Sequence, residues 1–515
     1  MSQLATRRSG GIPNRWLALG SLVLALITIG LDQTVLSLAL PTLASSFHAS
    51  ESQLQWFVTS YTLALAAAMM PAGVLGDRIG RKTVLVGAIV LFGITSVACA
   101  YAPDANAFIL ARAVLGIAGA ALLVMSLSVV TVLFSESERP RAMGVWAAGN
   151  FLALPLGPIV GGYVLAHFWW GWVFLMNVPV VLIGLTAAIL FVPQSRSESR
   201  PSIDILGVLL SSAGLAMFMY GLVEAGDSGW GSSSAIVPSV LSLVTLAVFV
   251  AWEAFLTARP NGEPLIDLGL FRSRSFSVGV VLAGAGIFGM FGVLFTLPQY
   301  LQAIMGVDAQ GAGLRFLPMI AGLMLGAVPA DRVAARFGVK ITVALGFAIM
   351  TVGMLIASGM TTTSGDAYIA TFGLIVGAGA GLGLATAASA ALVEISAERS
   401  GVGGALIQAI IKLGPAFGAT ILGSVLNSTY QSNVSLAGLP AQAASSVQQS
   451  VFGGLAVAQQ LGSPALAESV KTAFVAGMDD ASKLAAVVAL VAMVGALALL
   501  PNRSATAPAR PTAEG

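Results

Sequence analysis

Two ionisable side chains lie deep inside apolar stretches of the sequence. Asp32 stands within Ile29–Val35, and Arg112 stands within Leu110–Gly116. A charge at the centre of an apolar membrane helix costs about 2.5–3.5 kcal/mol on insertion scales, so it should face a partner or a cavity. A lone carboxyl that can change its charge is what proton coupling requires. Asp32 is therefore a candidate proton carrier, and the alternative is an acid that only holds helices together.

Arg112 is the candidate partner of this carboxyl. Attraction between the two groups would favour the ionised form of Asp32. The sequence does not show whether the side chains touch, since they belong to separate apolar runs. We assign both residues to proton coupling.

A third charge, Lys412, lies midway along the apolar run Gln408–Pro415. Gln408 precedes it by one helical turn, so both side chains project from one helix face. We expect Gln408, Lys412 and Gln33 to line a substrate cavity, where a cation would disfavour dicationic cargo. The alternatives are a lysine that snorkels to the membrane surface and a lysine paired with an acid for structural reasons.

The composition is that of a membrane protein with many helical spans. Of 515 residues, 57% are hydrophobic and only 9% are charged, and the mean hydropathy is +0.92. A soluble surface needs far more charge than this. The net charge of +2 gives no reason to expect nucleic acid as a partner. The partner that this composition implies is the lipid bilayer.

Enzyme chemistry has little support in the sequence. The single cysteine, Cys99, excludes an internal disulfide, and two histidines near helix ends make no metal cluster. Neither a nucleotide-binding loop of the Gly-x4-Gly-Lys-Ser/Thr type nor a nucleophile with its base is present. We therefore expect no enzyme activity, no metal and no cofactor, and we expect an ion gradient to supply the energy.

Apolar runs recur along the chain at lengths near the roughly 20 residues that cross a bilayer as a helix. They predict six spans, two linker spans and six further spans, at residues 16–40, 54–75, 84–102, 108–134, 142–167, 172–192, 205–224, 237–256, 276–305, 312–333, 341–360, 368–395, 402–426 and 484–500. The predicted parts are a tail (1–15), a six-helix half (16–192), two linker helices (205–256), a second six-helix half (276–500) with an external loop (430–482), and a second tail (501–515).

The distribution of lysine and arginine sets the expected orientation. Most of the 24 basic residues fall in loops on the side of the N-terminus, whereas Lys471 and Lys483 fall on the other side. The positive-inside rule then places both termini in the cytoplasm of a cell whose cytoplasmic membrane holds the protein. The external loop, rich in Ala, Gln, Leu and Val, is expected to form an amphipathic helical hairpin against the outer membrane face, and a disordered loop is the alternative.

A short basic turn separates the second and third apolar runs, in the stretch GVLGDRIGRKTVL at residues 73–85. Its order of glycines, acid and bases resembles the loop signature of the major facilitator superfamily. The residues that carry this resemblance are Gly73, Asp77, Arg78, Gly80, Arg81 and Lys82. It implies a gating loop in which Asp77 and Arg81 hold the cytoplasmic ends of neighbouring helices together. The alternative is a short loop whose basic residues only set the topology of the protein in the membrane.

A similar sequence occurs in the second half of the chain. Arg336-Phe337-Gly338-Val339-Lys340 aligns with Arg78-Ile79-Gly80-Arg81-Lys82, and Ala335 stands opposite Asp77. Internal repeats of this kind are typical of secondary transporters, whose substrate site lies between the repeats near the midplane.

The fifth apolar run contains Gly157-Pro158-Ile159-Val160-Gly161-Gly162, which resembles the antiporter motif of the same superfamily. The surroundings of Asp32 and Arg112 resemble the first-span and fourth-span motifs of its fourteen-span drug:proton antiporters. Two departures are Leu115, where the family often has Gln, and Ala153, where it has Gly.

The resemblance implies an all-α membrane protein with the major facilitator fold, fourteen spans in a 6+2+6 arrangement and two pseudo-symmetric halves. It implies a monomer that exports hydrophobic drugs or antibiotics by alternating access in exchange for protons. A transporter of one specific metabolite and a non-transporting membrane sensor are the alternatives.

Overall fold

We describe the protein from a computed structural model. It describes residues 15–134, 138, 142, 145–146, 156–157, 159–195, 204–259, 262, 264–265, 268–393 and 400–501. Every regular element within these residues is a helix.

The first helical group contains seven elements. They are α1 (Arg15–Phe47), α2 (Glu51–Ile79), α3 (Arg81–Ala100), α4 (Ala105–Leu133), α5 (156–157 and 159–167), α6 (Trp172–Leu175) and α7 (Asn177–Phe191). Side-chain hydrogen bonds cap the N-termini of α2 and α4. Ser50 and Gln53 form a capping box at the start of α2, and Asp104 accepts a hydrogen bond from the Ala107 amide at the start of α4.

The remaining elements follow in chain order. They are α8 (Ile205–Ser228), α9 (Ser233–Thr257), a 3-10 turn (Leu268–Arg272), α10 (Arg274–Gln299), a π-helical turn (Tyr300–Ile304), α11 (Ala309–Leu314), α12 (Leu317–Ala327), α13 (Ala330–Phe337), α14 (Val339–Ser358), α15 (Asp366–Val393), α16 (Ser400–Asn433), α17 (Ala441–Gln449), α18 (Val451–Gln460) and α19 (Pro464–Leu499).

Within the described residues, ten helices are long and apolar enough to cross a membrane, and two bent helix pairs raise the number to twelve. One pair is α2, whose two parts meet at 47° next to Pro71, where proline removes a backbone donor. The predicted spans at 142–167 and 402–426 include residues or side chains that the structure does not describe. The fourteen-span count therefore stays a prediction.

Two apolar clusters organise the packing. One is built mainly from α1 to α7 and the other mainly from α10 to α19. Leu38 of α1 belongs to the second cluster, whereas Phe295 of α10 and Ala419 of α16 belong to the first. The two groups of helices thus pack against each other, because each cluster includes side chains from helices of the other group.

The sequence repeat is matched by local geometry. Gly80, between α2 and α3, has a φ of 118°, and Gly338, between α13 and α14, has a φ of 85°. Both values favour glycine, which pays no Cβ penalty there. In each turn the glycine amide bonds back to the preceding helix, Gly80 to the Gly76 carbonyl and Gly338 to the Ala334 carbonyl.

The segment expected as an external loop is helical. It contains the end of α16, the short helices α17 and α18, and the first part of the 36-residue α19. The Tyr430 hydroxyl donates to the Val447 carbonyl at 2.7 Å, which ties α16 to α17. The structure of this segment therefore differs from the alternative of a disordered loop. Its placement against the outer membrane face stays a prediction.

Candidate functional site

The structure brings the two candidate coupling residues into direct contact. Asp32 of α1 and Arg112 of α4 form a short ion pair in which Arg112 Nη1 donates to Asp32 Oδ2. The side chain of Asp32 is 0% exposed and that of Arg112 is 1% exposed. An ion pair without solvent around it needs further polar contacts to offset the loss of hydration.

Helices α2 and α6 supply such contacts to the guanidinium group. Arg112 Nε donates to the Phe57 carbonyl at 3.1 Å. The guanidinium carbon lies 4.3 Å from the ring centroid of Tyr61 and 5.9 Å from that of Phe174. A cation over an aromatic face is stabilised by the ring quadrupole. Arg112 therefore keeps favourable contacts that do not depend on Asp32.

The carboxyl group of Asp32 is only partly satisfied. Its Oδ2 accepts from Arg112, whereas its Oδ1 has no hydrogen-bond partner within the described part of the chain. An unpaired buried carboxylate oxygen is costly, and most such atoms have a partner in native structures. Oδ1 is thus the position where a proton can be added while the bond to Arg112 through Oδ2 is kept.

Close packing of α2 against α4 positions this pair. A side chain at Gly116 of α4 would collide with the Tyr61 carbonyl oxygen, and it would lie 3.1 Å from the Leu65 amide nitrogen. Small residues let membrane helices approach this closely. Because Gly116 is one turn from Arg112, the contact fixes Arg112 beside Phe57 and Tyr61.

The glycines of the antiporter-like motif hold α5 against α1 and the second helical group. A Cβ on Gly157 would clash with the Thr34 side chain, and a Cβ on Gly161 would lie 2.6 Å from Val35 Cγ1. A Cβ on Gly162 would lie 2.8 Å from the Ala309 carbonyl oxygen of α11. Thr34 is two residues from Asp32, so α5 contacts the turn that carries the acid. Pro158 lies outside the described residues.

The basic loop between α2 and α3 forms contacts with its own helical group. Arg81 Nη2 donates to Asp77 Oδ1 at 2.9 Å, and the Arg81 amide donates to the Ser195 carbonyl at 2.8 Å. Lys82 Nζ donates to the Ile189 carbonyl of α7 at 2.7 Å. These bonds tie α2, α3 and the end of α7 together. Their part in gating stays a prediction.

Two further loop positions, Gly73 and Arg78, lie at the end of α2. A Cβ on Gly73 would meet Val124 of α4 at an ordinary 3.6 Å, whereas one on Gly76 would collide with Met125. Of these two glycines, Gly76 therefore lies closer to α4, with the Met125 side chain against it.

Of the three residues predicted to line a substrate cavity, the structure describes the side chain of Gln33 and not those of the other two. Gln33 is buried on α1 beside Asp32. Gln408 and Lys412 lie in α16, and their side chains are outside the described residues. Their grouping with Gln33 stays a prediction.

Sequence reasoning missed a set of buried polar contacts between the two helical groups. We call this set the polar seam and define it as Glu51, Gln55 and Thr59 of α2, Gln299 of α10, and Thr420 and Ser424 of α16. Gln299 Nε2 donates to Glu51 Oε1 at 3.2 Å, Ser424 Oγ donates to Gln55 Oε1 at 3.2 Å, and the Thr59 and Thr420 hydroxyls lie 2.8 Å apart.

The polar seam joins the two helical groups along the first part of α2. It occupies the beginning of α2, whereas the Asp77–Arg81 contact lies at the other end of that helix. Gln302 Nε2 adds a bond to the Leu38 carbonyl of α1 at 3.1 Å. A usable signal was present in the sequence, because polar residues recur every four positions at 51, 55 and 59.

Helix α8 lies along this seam. Ser424 Oγ lies 2.7 Å from the Leu222 carbonyl oxygen, which shares its single hydroxyl proton with Gln55 Oε1, and Met219 packs with Leu63 of α2 and Ala416 of α16. The first linker helix therefore contacts both helical groups.

Residues 22–419 match the family model described as Major Facilitator Superfamily. The chain belongs to this superfamily of transporters and is a multi-pass, all-helical membrane protein.

Its curated relatives include efflux and resistance proteins. The chain is 31% identical to the multidrug efflux pump LfrA of Mycolicibacterium smegmatis, over 93% of this chain and 94% of that protein. It is 30% identical to the tetracenomycin C resistance and export protein of Streptomyces glaucescens, over 96% and 94%. It is also 31% identical to the methyl viologen resistance protein SmvA of Salmonella typhimurium, over 83% and 86%.

A solved structure shares the fold. A bacterial homologue of the human lysosomal transporter Spinster, in an inward-facing and unoccupied conformation, superposes with a TM-score of 0.66 at 17% identity, over 95% of this chain and 97% of that one. At this identity the likeness concerns the fold alone.

Proposed function

We propose that this protein exports hydrophobic drugs or antibiotics across the cytoplasmic membrane and that protons moving inward drive the export. The observation that carries the proposal is the buried Asp32–Arg112 pair with the open Oδ1 of Asp32. The names of the relatives, a multidrug efflux pump and an antibiotic export protein, support this class of cargo. The proposal includes fourteen spans, cytoplasmic termini and a monomer.

The coupling step in this proposal is protonation of Asp32. A proton on Oδ1 neutralises the carboxyl group and weakens its attraction for Arg112. Arg112 is then held by the Phe57 carbonyl and the Tyr61 ring, so it can stay charged in its buried site. The change in attraction alters the contact between α1 and α4.

Alternating access requires that the polar seam opens and closes. Two buried polar atoms in it, Gln55 Nε2 and Gln299 Oε1, have no hydrogen-bond partner among the described residues. Incompletely satisfied polar contacts hold a closed state less strongly than a fully bonded network would. Movement of α1 can reach the second helical group through α5, whose Gly162 contacts Ala309.

The test is transport by the purified protein in vesicles. In inside-out vesicles with an acidic interior, protons that leave the vesicle should drive accumulation of a lipophilic dye such as Hoechst 33342 inside it, and a protonophore should abolish this accumulation. Dye movement at the same rate with and without the proton gradient would contradict proton coupling. If instead one metabolite were moved and none of a panel of lipophilic dyes, the protein would be a specific transporter, and no movement of any compound would favour the sensor.

A further inference from the structure

The linker helix α8 contacts the second helical group through polar groups of α16. Ser424 Oγ of α16 lies 2.7 Å from the Leu222 carbonyl oxygen, and Asn427 Nδ2 donates to the Gly226 carbonyl at 3.3 Å. Both carbonyls belong to α8 and lie about one helical turn apart. We propose that α8 and α9 move as one unit with the second helical group, and that the first group slides past α8 during transport.

Close packing strengthens the contact between α8 and α16. A Cβ on Gly226 would lie 2.7 Å from Ser424 Cα and 3.1 Å from the Ser424 carbonyl oxygen. Small residues let membrane helices approach this closely. The ring centroid of Phe218 lies 6.0 Å from that of Phe417, whose side chain also packs against the main apolar cluster of the second group. Helix α8 is therefore joined to α16 by polar contacts, by backbone packing and by an aromatic pair.

Helix α9 is packed closely against α8. Ser242 Oγ of α9 donates to the Gly214 carbonyl of α8 at 2.8 Å. A Cβ on Gly221 of α8 would lie 3.0 Å from the Ala235 carbonyl oxygen of α9. The two linker helices thus form one hairpin, and α9 follows the position of α8.

The contact of α8 with the first helical group is of a different kind. Met219 packs with Leu63 of α2, and Trp56 of α2 lies against the same small apolar cluster. Nearer the start of α8, a cleft of about 640 Å³ separates this helix from α2 and α4, and Val208 and Ser212 line it. Apolar contact has no preferred direction, and sliding of packed helices is a known form of conformational change. We therefore expect movement between α8 and α2 to cost less than movement between α8 and α16.

The hydroxyl group of Ser424 lets the polar seam open while α8 stays bound to α16. It lies between two acceptors, Gln55 Oε1 of α2 at 3.2 Å and the Leu222 carbonyl oxygen of α8 at 2.7 Å. A serine hydroxyl has one proton for both acceptors. When α2 moves away, this proton stays with the Leu222 carbonyl, so Ser424 keeps a hydrogen bond. The inference rests on the proposed function only in that the two helical groups must move relative to each other.

The test compares two cross-links that share one cysteine. In a protein that carries Cys99→Ala, Met219→Cys is combined either with Ala416→Cys of α16 or with Leu63→Cys of α2. Oxidation, or a short bis-methanethiosulfonate linker, joins the thiols, and mass spectrometry confirms the link. Dye transport in vesicles should be unchanged when α8 is joined to α16. It should be lost when α8 is joined to α2, and a reductant should restore it.

The single-cysteine variants are the controls, and each should transport equally under oxidising and reducing conditions. Loss of transport with both cross-links would show that α8 moves relative to α16. Transport with both cross-links would show that the first group does not slide past α8. Either result would overturn the inference, and so would loss of transport with the link to α16 alone.

A distance measurement separates this inference from the proposed function, because it needs no cargo. Spin labels on the exposed positions Gly231→Cys, between α8 and α9, and Gly365→Cys, before α15, should give the same distance at acidic and alkaline pH. Labels on Gly231→Cys and Asn106→Cys of α4 should give a distance that shifts with pH. These distances together with a failed dye assay would leave the inference standing and reject drug export. A shift between Gly231 and Gly365, or two constant distances, would overturn the inference.

Discussion

At the scale of single residues, the buried Asp32–Arg112 ion pair is the feature with a candidate chemical role in addition to packing. Asp32 and Arg112 could be singled out from sequence because each charge stands alone in an apolar run. Their partners could not. Phe57 contributes a backbone carbonyl, and Tyr61 contributes a ring face, and neither feature distinguishes these residues from the apolar positions around them.

Asp32→Asn should abolish proton-driven dye transport. The amide is similar in size but cannot gain or lose the coupled proton, so binding can remain while coupling is lost. The measurement is dye accumulation in vesicles with an imposed proton gradient, normalised to the amount of protein. Asp366→Asn is the matched control, because it breaks the exposed ion pair with Arg315 by the same substitution and should leave transport unchanged. Full coupling in the Asp32 variant would remove this carboxyl from the mechanism.

The face of the Tyr61 ring, and not its hydroxyl group, should stabilise Arg112. The hydroxyl has no hydrogen-bond partner among the described residues, whereas the ring lies 4.3 Å from the guanidinium carbon. Tyr61→Phe should therefore keep the melting temperature of the purified protein. Tyr61→Leu should lower its stability by about 0.5–2 kcal/mol or more through loss of the cation–π contact. Equal melting of the two variants would show that the ring face contributes nothing.

At the scale of elements, backbone turns and helix contacts differ in how far sequence predicts them. The glycines at 80 and 338 could be matched by alignment, and both adopt a positive φ between consecutive helices. The close contact of α2 with α4 could not be inferred in the same way. A sequence with 59 glycines does not show which of them meets a neighbouring backbone, and that depends on how the helices cross.

Gly116→Leu should destabilise the protein and displace Arg112. Any side chain at this position meets the backbone of Tyr61, which cannot move aside as a flexible side chain could. Overpacking of this kind costs about 1–3 kcal/mol. The melting temperature should fall, and transport should fall with it because Arg112 is one turn away. Gly87→Leu is the control, since a Cβ on Gly87 of α3 meets nothing within 4 Å. If both variants melt alike, the α2–α4 contact does not position the pair.

At the scale of the whole molecule, the polar seam relates the two helical groups to each other. One of its contacts joins Thr59 to Thr420, residues that are 361 positions apart in the chain. No local pattern predicts such a partner, because the contact depends on how α2 and α16 pack. Four-residue spacing on α2 could only have indicated a buried polar stripe. The bonds described for the Asp77–Arg81 loop, by contrast, join residues of one helical group.

Covalent closure of the polar seam should stop transport reversibly. In a variant whose single native cysteine is replaced, Cys99→Ala, the double substitution Thr59→Cys with Thr420→Cys puts two thiols where two hydroxyls lie 2.8 Å apart. Oxidation should join α2 to α16 and hold this end of the molecule closed. Dye transport should then be lost, and a reductant should restore it, because alternating access needs both closed states. Each single-cysteine variant should transport equally under oxidising and reducing conditions. Transport that continues after the cross-link has formed would show that the groups do not separate at this end during the cycle.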